Sequence, residues 1–177
     1  TGLYLLTNTT PVGSTSITFN VRTLTLTLNI QVLAGDDLEG DGKADLALYA
    51  TNNTLKIYKN VSNIGGSISF SIAGSLTTTS GPFYAMAIND IDMDGRADVV
   101  LAGNNGTAVN IFRNTSAFGI ISFNPFVLIT TGANAFALAI GDVDGDGKPD
   151  LVTASQNTSN NVSILRNIST GPGVISF

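Results

Sequence analysis

Three short acidic segments recur at a nearly constant interval along the chain, and they constrain its fold more than any other feature. Every carboxylate side chain of the protein lies in one of them. The last aspartates of the segments are Asp45, Asp98 and Asp150, so the period is 53 and then 52 residues. Self-similarity at a fixed period is the mark of repeat architectures, in which each unit packs on its neighbours. The pattern therefore predicts a repeat protein with one acidic loop in each unit.

The flanks of the acidic segments also repeat, and they have the composition of strands. Short apolar runs come before and after the segments and are bounded by Gly, Asn, Ser and Thr, which is typical of strands. Apolar and polar residues alternate from Thr23 to Leu33. No segment shows a capped 3.6-residue period. We therefore expect about four strands in each unit and almost no helix, which is the size of a propeller blade.

The repeat boundaries divide the chain into four parts. They are 1–28 (outer strands of an incomplete preceding blade), 29–82 (repeat 1), 83–132 (repeat 2) and 133–177 (repeat 3, truncated). The predicted fold class is all-β, with tandem four-stranded β-propeller-type blades, three full repeats plus a partial one. These are too few to close alone, since closed propellers have about four to eight blades. The blades would belong to a longer propeller, take strands from another copy, or stack as an open array.

The acidic loops follow the pattern Asp-x-Asp-x-Asp-Gly-x-x-Asp, which predicts calcium sites. Alternating carboxylates supply oxygens to an ion that takes six to eight of them, and the glycine permits the tight turn that returns the ninth residue to the ion. The seventh residue would offer its carbonyl while its side chain points away. The predicted ligands are Asp37, Glu39, Asp41, Lys43 and Asp45 (loop 1), Asp90, Asp92, Asp94, Arg96 and Asp98 (loop 2), and Asp142, Asp144, Asp146, Lys148 and Asp150 (loop 3).

Alternative interpretations of the loops are weaker. A solvated acidic turn is the structural alternative, but four adjacent carboxylates repel one another unless a cation is present. Magnesium prefers near-octahedral sites that keep several waters, and zinc prefers His or Cys ligands, which the chain lacks. An EF-hand needs a glutamate at position 12, where this chain has Leu48, Leu101 and Thr153. The sequence thus predicts about three Ca²⁺ ions in β-hairpin loops.

The loops, their apolar flanks and the unit length resemble the FG-GAP or VCBS repeats of integrin α-subunit propellers and of many secreted microbial proteins. The resemblance covers nearly the whole chain, and the loop motif is its most specific part. It implies that Ca²⁺ sits in the hairpin between the first two strands of each blade. It also implies an extracellular location, either secreted or at a cell surface.

Asn-x-Ser/Thr sequons recur in register with the repeat and predict N-glycosylation. They are Asn8, Asn52, Asn60, Asn105, Asn114, Asn157, Asn161 and Asn167. The alternative is that Asn and Thr suit turns and that duplication copied the triplets.

Several functions are excluded by what the sequence lacks. Without His or Cys, neither a Ser-His-Asp triad nor a cysteine nucleophile is available, so we predict no catalytic residues and no enzyme activity. The pI is near 4.3 and the eight basic residues are dispersed, which argues against nucleic acid binding. No apolar run approaches the ~18 to 20 residues of a membrane span.

The sequence predicts a non-catalytic extracellular calcium-binding repeat protein, structural or adhesive, glycosylated, and part of a larger assembly or filament through β-strand sharing. Its expected partners are other copies of itself or neighbouring repeats, and glycans or extracellular proteins. One alternative is a lectin-like, carbohydrate-binding propeller, for which Tyr4 and Tyr58 are the best-placed aromatic residues. Another is the accessory region of a secreted hydrolase.

Overall fold

The fold is all-β. The computed structural model describes residues 2–8, 19–25, 29–79, 81–103, 108–131, 134–155 and 161–177, and for the first two ranges it describes the backbone alone. Thirteen strands and no helix occur in these ranges. Accordingly, the described part of the chain contains no helix of the length and hydropathy that crossing a membrane requires.

The strands in chain order are β1 (Gly2–Asn8), β2 (Phe19–Thr25), β3 (Ile30–Asp36), β4 (Asp45–Ala50), β5 (Thr54–Asn60), β6 (Phe70–Thr77), β7 (Phe83–Asn89), β8 (Asp98–Gly103), β9 (Ala108–Phe112), β10 (Val127–Thr130), β11 (Ala137–Gly141), β12 (Asp150–Ala154) and β13 (Val162–Leu165).

These strands form antiparallel sheets in which sequential strands are neighbours. Blade 1 has the order β3-β4-β5-β6, blade 2 the order β10-β9-β8-β7, and blade 3 the order β11-β12-β13. The pair β1-β2 forms a separate two-stranded sheet. The predicted fold class is confirmed, with tandem blades that do not close. One detail differs, because blade 3 has three strands rather than four among the described residues.

The blades pack face to face through their middle strands. Along β8, Val99 and Leu101 face a core shared with blade 1, while Val100 and Ala102 face a core shared with blade 3. All six residues of β8 are buried. A strand covered on both faces has an apolar run rather than an alternating one, which explains the continuous apolar sequence after each acidic loop.

Tyr58, one of the two aromatic residues best placed for a sugar site in the lectin-like alternative, is buried. Its side chain is 8% exposed, because it packs on Leu48 in a core with Ile30 and Phe70. The side chain of Tyr4, the other candidate, lies outside the described residues.

Each acidic loop connects the first two strands of its blade. Asp36 pairs with Asp45 at the end of the β3–β4 hairpin, Asn89 pairs with Asp98 in blade 2, and Gly141 pairs with Asp150 in blade 3. The repeated register therefore places all three loops at the same position of their hairpins.

Candidate metal centres

The first aspartate of each loop organises the turn. The carboxylate of Asp142 accepts hydrogen bonds from the N–H groups of Gly145, Asp146 and Gly147, at 2.7, 3.1 and 2.9 Å. Asp37 makes the same three contacts in loop 1, and Asp90 accepts from Asp94 and Gly95 in loop 2. These bonds curl the backbone so that the following side chains converge.

The sixth position has the left-handed backbone that its glycine predicts. The φ angles of Gly42, Gly95 and Gly147 are 83°, 87° and 85°. The fourth position is left-handed too, with a glycine in loops 1 and 3 and Met93 (φ 57°) in loop 2. Sequence reasoning missed this second turn position, although glycine occupies it in two of the three loops.

The last aspartate of each loop is buried and holds the loop to its own blade. Asp98 Oδ2 accepts the N–H of Ile91 at 2.9 Å, and Asp98 Oδ1 accepts the N–H of Asn114 at 2.7 Å. Asp45 and Asp150 repeat both contacts. Since each carboxylate oxygen has two lone pairs, these bonds still leave the oxygens able to bind a cation.

Loops 2 and 3 bring carboxylates together at distances that suit one cation. Ligand atoms of Asp90, Asp92 and Asp98 all lie within 4.8 Å of one another, and so do those of Asp142, Asp144 and Asp146. Oxygens bound to one Ca²⁺ at ~2.3–2.6 Å can lie at most about 5 Å apart. The acidic clusters could therefore hold a metal ion.

A buried carboxylate oxygen without a partner in loop 2 independently indicates a cation site. Asp92 is fully buried, and its Oδ1 atom has no hydrogen-bond partner in the described part of the chain. Buried polar atoms are nearly always satisfied, and an exception often marks an ion. The residues of this loop thus fit a bound cation.

Loop 1 differs from the other two. All of its residues are described, yet its carboxylates form no comparable group. Glu39, at the third position, is 5% exposed and forms an ion pair with Lys59. Burial raises the pKa of Glu39, Lys59 opposes the rise, and the nearby Asp45 adds to it. Glu39 therefore lies next to the last aspartate of its loop as well as next to Lys59.

The side chains at the seventh position do not all point away, so that prediction is wrong for two loops. Lys43 turns back to Asp41 at 3.1 Å, and Arg96 pairs with Asp94. Both basic groups neutralise the fifth-position carboxylate next to them. Lys148 does point away, because its ammonium group donates to the carbonyl of Ser169 at 2.9 Å.

A second set of basic residues contacts the loops from the ends of the third strands, and sequence reasoning missed its role. Arg113 pairs with the Oδ2 atoms of Asp92 and Asp94, and Arg166 pairs with the Oδ2 atoms of Asp144 and Asp146. With four aspartates and two basic residues, loops 2 and 3 each have a net charge of −2. A divalent cation would neutralise that charge. The sequence did contain a signal for this role, because a basic residue recurs at positions 59, 113 and 166 in a chain that has only eight basic residues.

The last aspartates titrate differently in loops 2 and 3. Burial raises the pKa of Asp98 to about 6, against the opposing effect of the N–H groups of Asn114 and Ile91. The N–H groups of Asn167 and Val143 lower the pKa of Asp150 instead. Asp98 lies between two blades, whereas blade 3 has a neighbour on one face only among the described residues. A nearby cation would favour the charged form of Asp98.

A comparison with known families now identifies the repeat. The model of the FG-GAP-like repeat matches residues 37–101 and again residues 90–153. The chain belongs to the FG-GAP-like repeat family. Each match spans two acidic loops, so the family and the carboxylate geometry concern the same residues. The resemblance noted from the loop motif is confirmed. No curated protein matches the chain significantly.

Two of the predicted glycosylation sites are buried and hydrogen-bonded in this structure. Asn114 and Asn167 are fully buried, and the Nδ2 atom of each donates hydrogen bonds to two carbonyl oxygens. A glycosylated Nδ2 retains one hydrogen and could not make both bonds. The sequence did not reveal that these two amides are buried hydrogen-bond donors, because an Asn-x-Ser/Thr triplet carries no information on burial.

The remaining sequons differ in accessibility. Asn52 and Asn161 are exposed, while Asn60 is half-buried and its Nδ2 atom donates to the carbonyl of Ala44 at 3.0 Å. Asn105 and Asn157 lie outside the described residues, as does the side chain of Asn8. Among the sequons that the structure describes, Asn52 and Asn161 are therefore the most accessible candidates for glycosylation.

Proposed function

We propose that this FG-GAP-like chain is a non-catalytic extracellular calcium-binding module with a structural or adhesive role. The observation that carries the proposal is the pair of convergent carboxylate groups in loops 2 and 3, together with the unpartnered Oδ1 atom of Asp92. Hard oxygen ligands of this kind suit Ca²⁺. Bound calcium would stiffen the hairpin between the first two strands of each blade. Loop 1 would fill last, because its carboxylates form no group comparable to those of loops 2 and 3.

Blade 3 has a face suited to association with a second copy of the chain. Val162 and Ile164 on β13 are 64% and 61% exposed. Their repeat equivalents, Val109 and Ile111 in blade 2, are both fully buried beneath blade 3. An exposed pair at a position that a neighbouring blade covers elsewhere is a docking surface. Among the described residues β13 is also a sheet edge, which is a template for a strand from another chain.

The association proposal is tested by light scattering on the purified chain with calcium. Wild-type protein is expected to form larger species as its concentration rises, and Ile164→Lys is expected to stay monomeric because a charge would be buried at the contact. Ile64→Lys is the matched control, since Ile64 is fully exposed on a turn of blade 1. A wild-type chain that stays monomeric, or equal assembly of both variants, would contradict this part of the proposal.

Glycans would lie on the exposed surface of the module. Expressed in a glycosylating host, the chain is expected to carry sugar at Asn52 and Asn161 and none at Asn114 and Asn167. Glycopeptide mass spectrometry of the folded protein measures this site by site. Occupied Asn114 or Asn167 in that material would show that the buried amides are placed wrongly.

A further inference from the structure

Two buried asparagines connect loops 1 and 2 to the blade that follows each of them. Asn114, just after β9, donates from Nδ2 to the carbonyl of Ala97 in its own loop at 2.9 Å. The same nitrogen donates to the carbonyl of Leu38 in loop 1 of blade 1 at 2.8 Å. Its Oδ1 atom accepts the N–H of Ser116 at 2.8 Å. Both Nδ2 hydrogens are thus used, and the side chain bridges two blades.

Asn167 repeats this arrangement one blade later. Its Nδ2 atom donates to the carbonyl of Pro149 in loop 3 at 3.0 Å and to the carbonyl of Ile91 in loop 2 at 2.8 Å. Its Oδ1 atom accepts the N–H of Ser169 at 2.9 Å. We name the side-chain amides of Asn114 and Asn167 the amide clamps.

Each clamp holds a peptide group next to a metal-site carboxylate. Ile91 is the second residue of loop 2, between Asp90 and Asp92. Its N–H donates to Asp98, and its carbonyl accepts from the clamp. The peptide that joins Ile91 to Asp92 is therefore fixed by a residue of blade 3. That peptide sets the direction of the Asp92 side chain, whose Oδ1 atom has no partner.

We propose that Asn167 is a positioning residue for the metal site of loop 2, so that blade 3 sets the cation affinity of blade 2. The inference rests on the proposed calcium function. Outer contacts that orient metal ligands typically change metal affinity by 10–100-fold. Blade 3 thereby completes the loop 2 site of blade 2, and calcium binding at that site is coupled to blade stacking.

Loops 2 and 3 differ in the way this coupling requires. Val143 is the second residue of loop 3, and the hydrogen bonds of the described residues place no asparagine amide on its carbonyl. The grouped carboxylates of loop 3 (Asp142, Asp144 and Asp146) are also exposed, whereas Asp92 and Asp98 in loop 2 are buried. Loop 2, the clamped site, is therefore expected to bind calcium more tightly than loop 3.

The test uses a parent chain in which Glu39→Gln and Asp144→Asn disable loops 1 and 3, so that calcium titration reports loop 2. Adding Asn167→Ala is expected to weaken calcium binding about tenfold or more. Asn60→Ala is the matched control, because Asn60 occupies the same repeat position but its amide donates to Ala44 of its own blade. This control should leave the affinity of loop 2 unchanged.

A second measurement covers the case in which Asn167→Ala fails to fold. In the parent chain, which keeps Asn167, adding calcium should shift the NMR resonances of the Asn167 side-chain amide, although that residue belongs to another blade. Equal affinities for the Asn167→Ala and Asn60→Ala chains, or an amide that does not respond, would overturn the clamp while leaving the calcium site intact. A parent chain that binds no calcium would overturn both.

Discussion

Removing calcium is expected to lower the free energy of unfolding by about 5 kcal/mol when free calcium is about 100-fold above the dissociation constant. Each occupied site then contributes about 2.7 kcal/mol by mass action, and loops 2 and 3 supply two sites. For a chain of this length, 1 kcal/mol corresponds to about 2–4 °C in melting temperature. Thermal unfolding in calcium and in EDTA should therefore differ by about 10–20 °C.

The controls for this prediction come from the loops themselves. Asp92→Asn combined with Asp144→Asn should remove the difference between calcium and EDTA, because both sites lose a carboxylate. Glu39→Gln should retain most of it, since the carboxylates of loop 1 form no group like those of loops 2 and 3. If the wild-type chain unfolds at the same temperature in calcium and in EDTA, the metal contributes nothing to stability.

Phe112→Ala is expected to destabilise the chain by about 3–5 kcal/mol, the usual cost of deleting a buried phenylalanine side chain. Phe112 is 1% exposed in the core between blades 1 and 2. It packs edge-to-face on Phe126, with ring centroids 5.8 Å apart. Because the side chain fills the contact between two sheets, its loss should weaken their packing equally in calcium and in EDTA. Chemical denaturation under both conditions measures the effect.

Phe118→Ala is the matched control for this substitution. Phe118 is 81% exposed on the turn after blade 2's third strand, and surface changes usually stay within about 0.5 kcal/mol. Similar losses for Phe112→Ala and Phe118→Ala would mean that the blades do not pack through the core described above.

The loops could be predicted from the sequence because their geometry is local. Asp142 hydrogen-bonds to backbone groups three to five residues away, and the left-handed turn at Gly147 needs only its own residue. The spacing of the carboxylates and the glycine therefore predicts most of the turn geometry. Glu39, the one glutamate among the loop carboxylates, distinguishes loop 1 from the other loops in the sequence.

The contacts that complete the loops could not be predicted because they are distant in sequence. Asn167 and Ile91 are 76 residues apart, as are Asn114 and Leu38. In the sequence, Asn114 and Asn167 have the form of glycosylation sites, since a triplet does not reveal burial. Arg113 reaches Asp92 from 21 residues away. Its role could not be predicted without the fold of the blade, which brings the end of the third strand beside the loop.

Strand patterns showed where apolar residues lie but not where one sheet ends. The alternation from Thr23 to Leu33 continues without a break in the sequence. In the structure, β2 ends at Thr25 and β3 begins at Ile30, in a different sheet. An alternating pattern indicates that one face of a strand is covered. Two successive strands can continue the same alternation by chance, so the pattern does not show where the first strand ends.

Counting the calcium ions bound to the chain tests the central claim most directly. Equilibrium dialysis of the decalcified protein against ⁴⁵Ca²⁺, at concentrations up to about 10⁻² M to cover weak extracellular sites, should give two ions per chain before any filling of loop 1. Asp92→Asn should remove one of them, and Asp144→Asn the other. No bound calcium over this range, or binding that neither substitution reduces, would contradict the assignment of loops 2 and 3 as calcium sites.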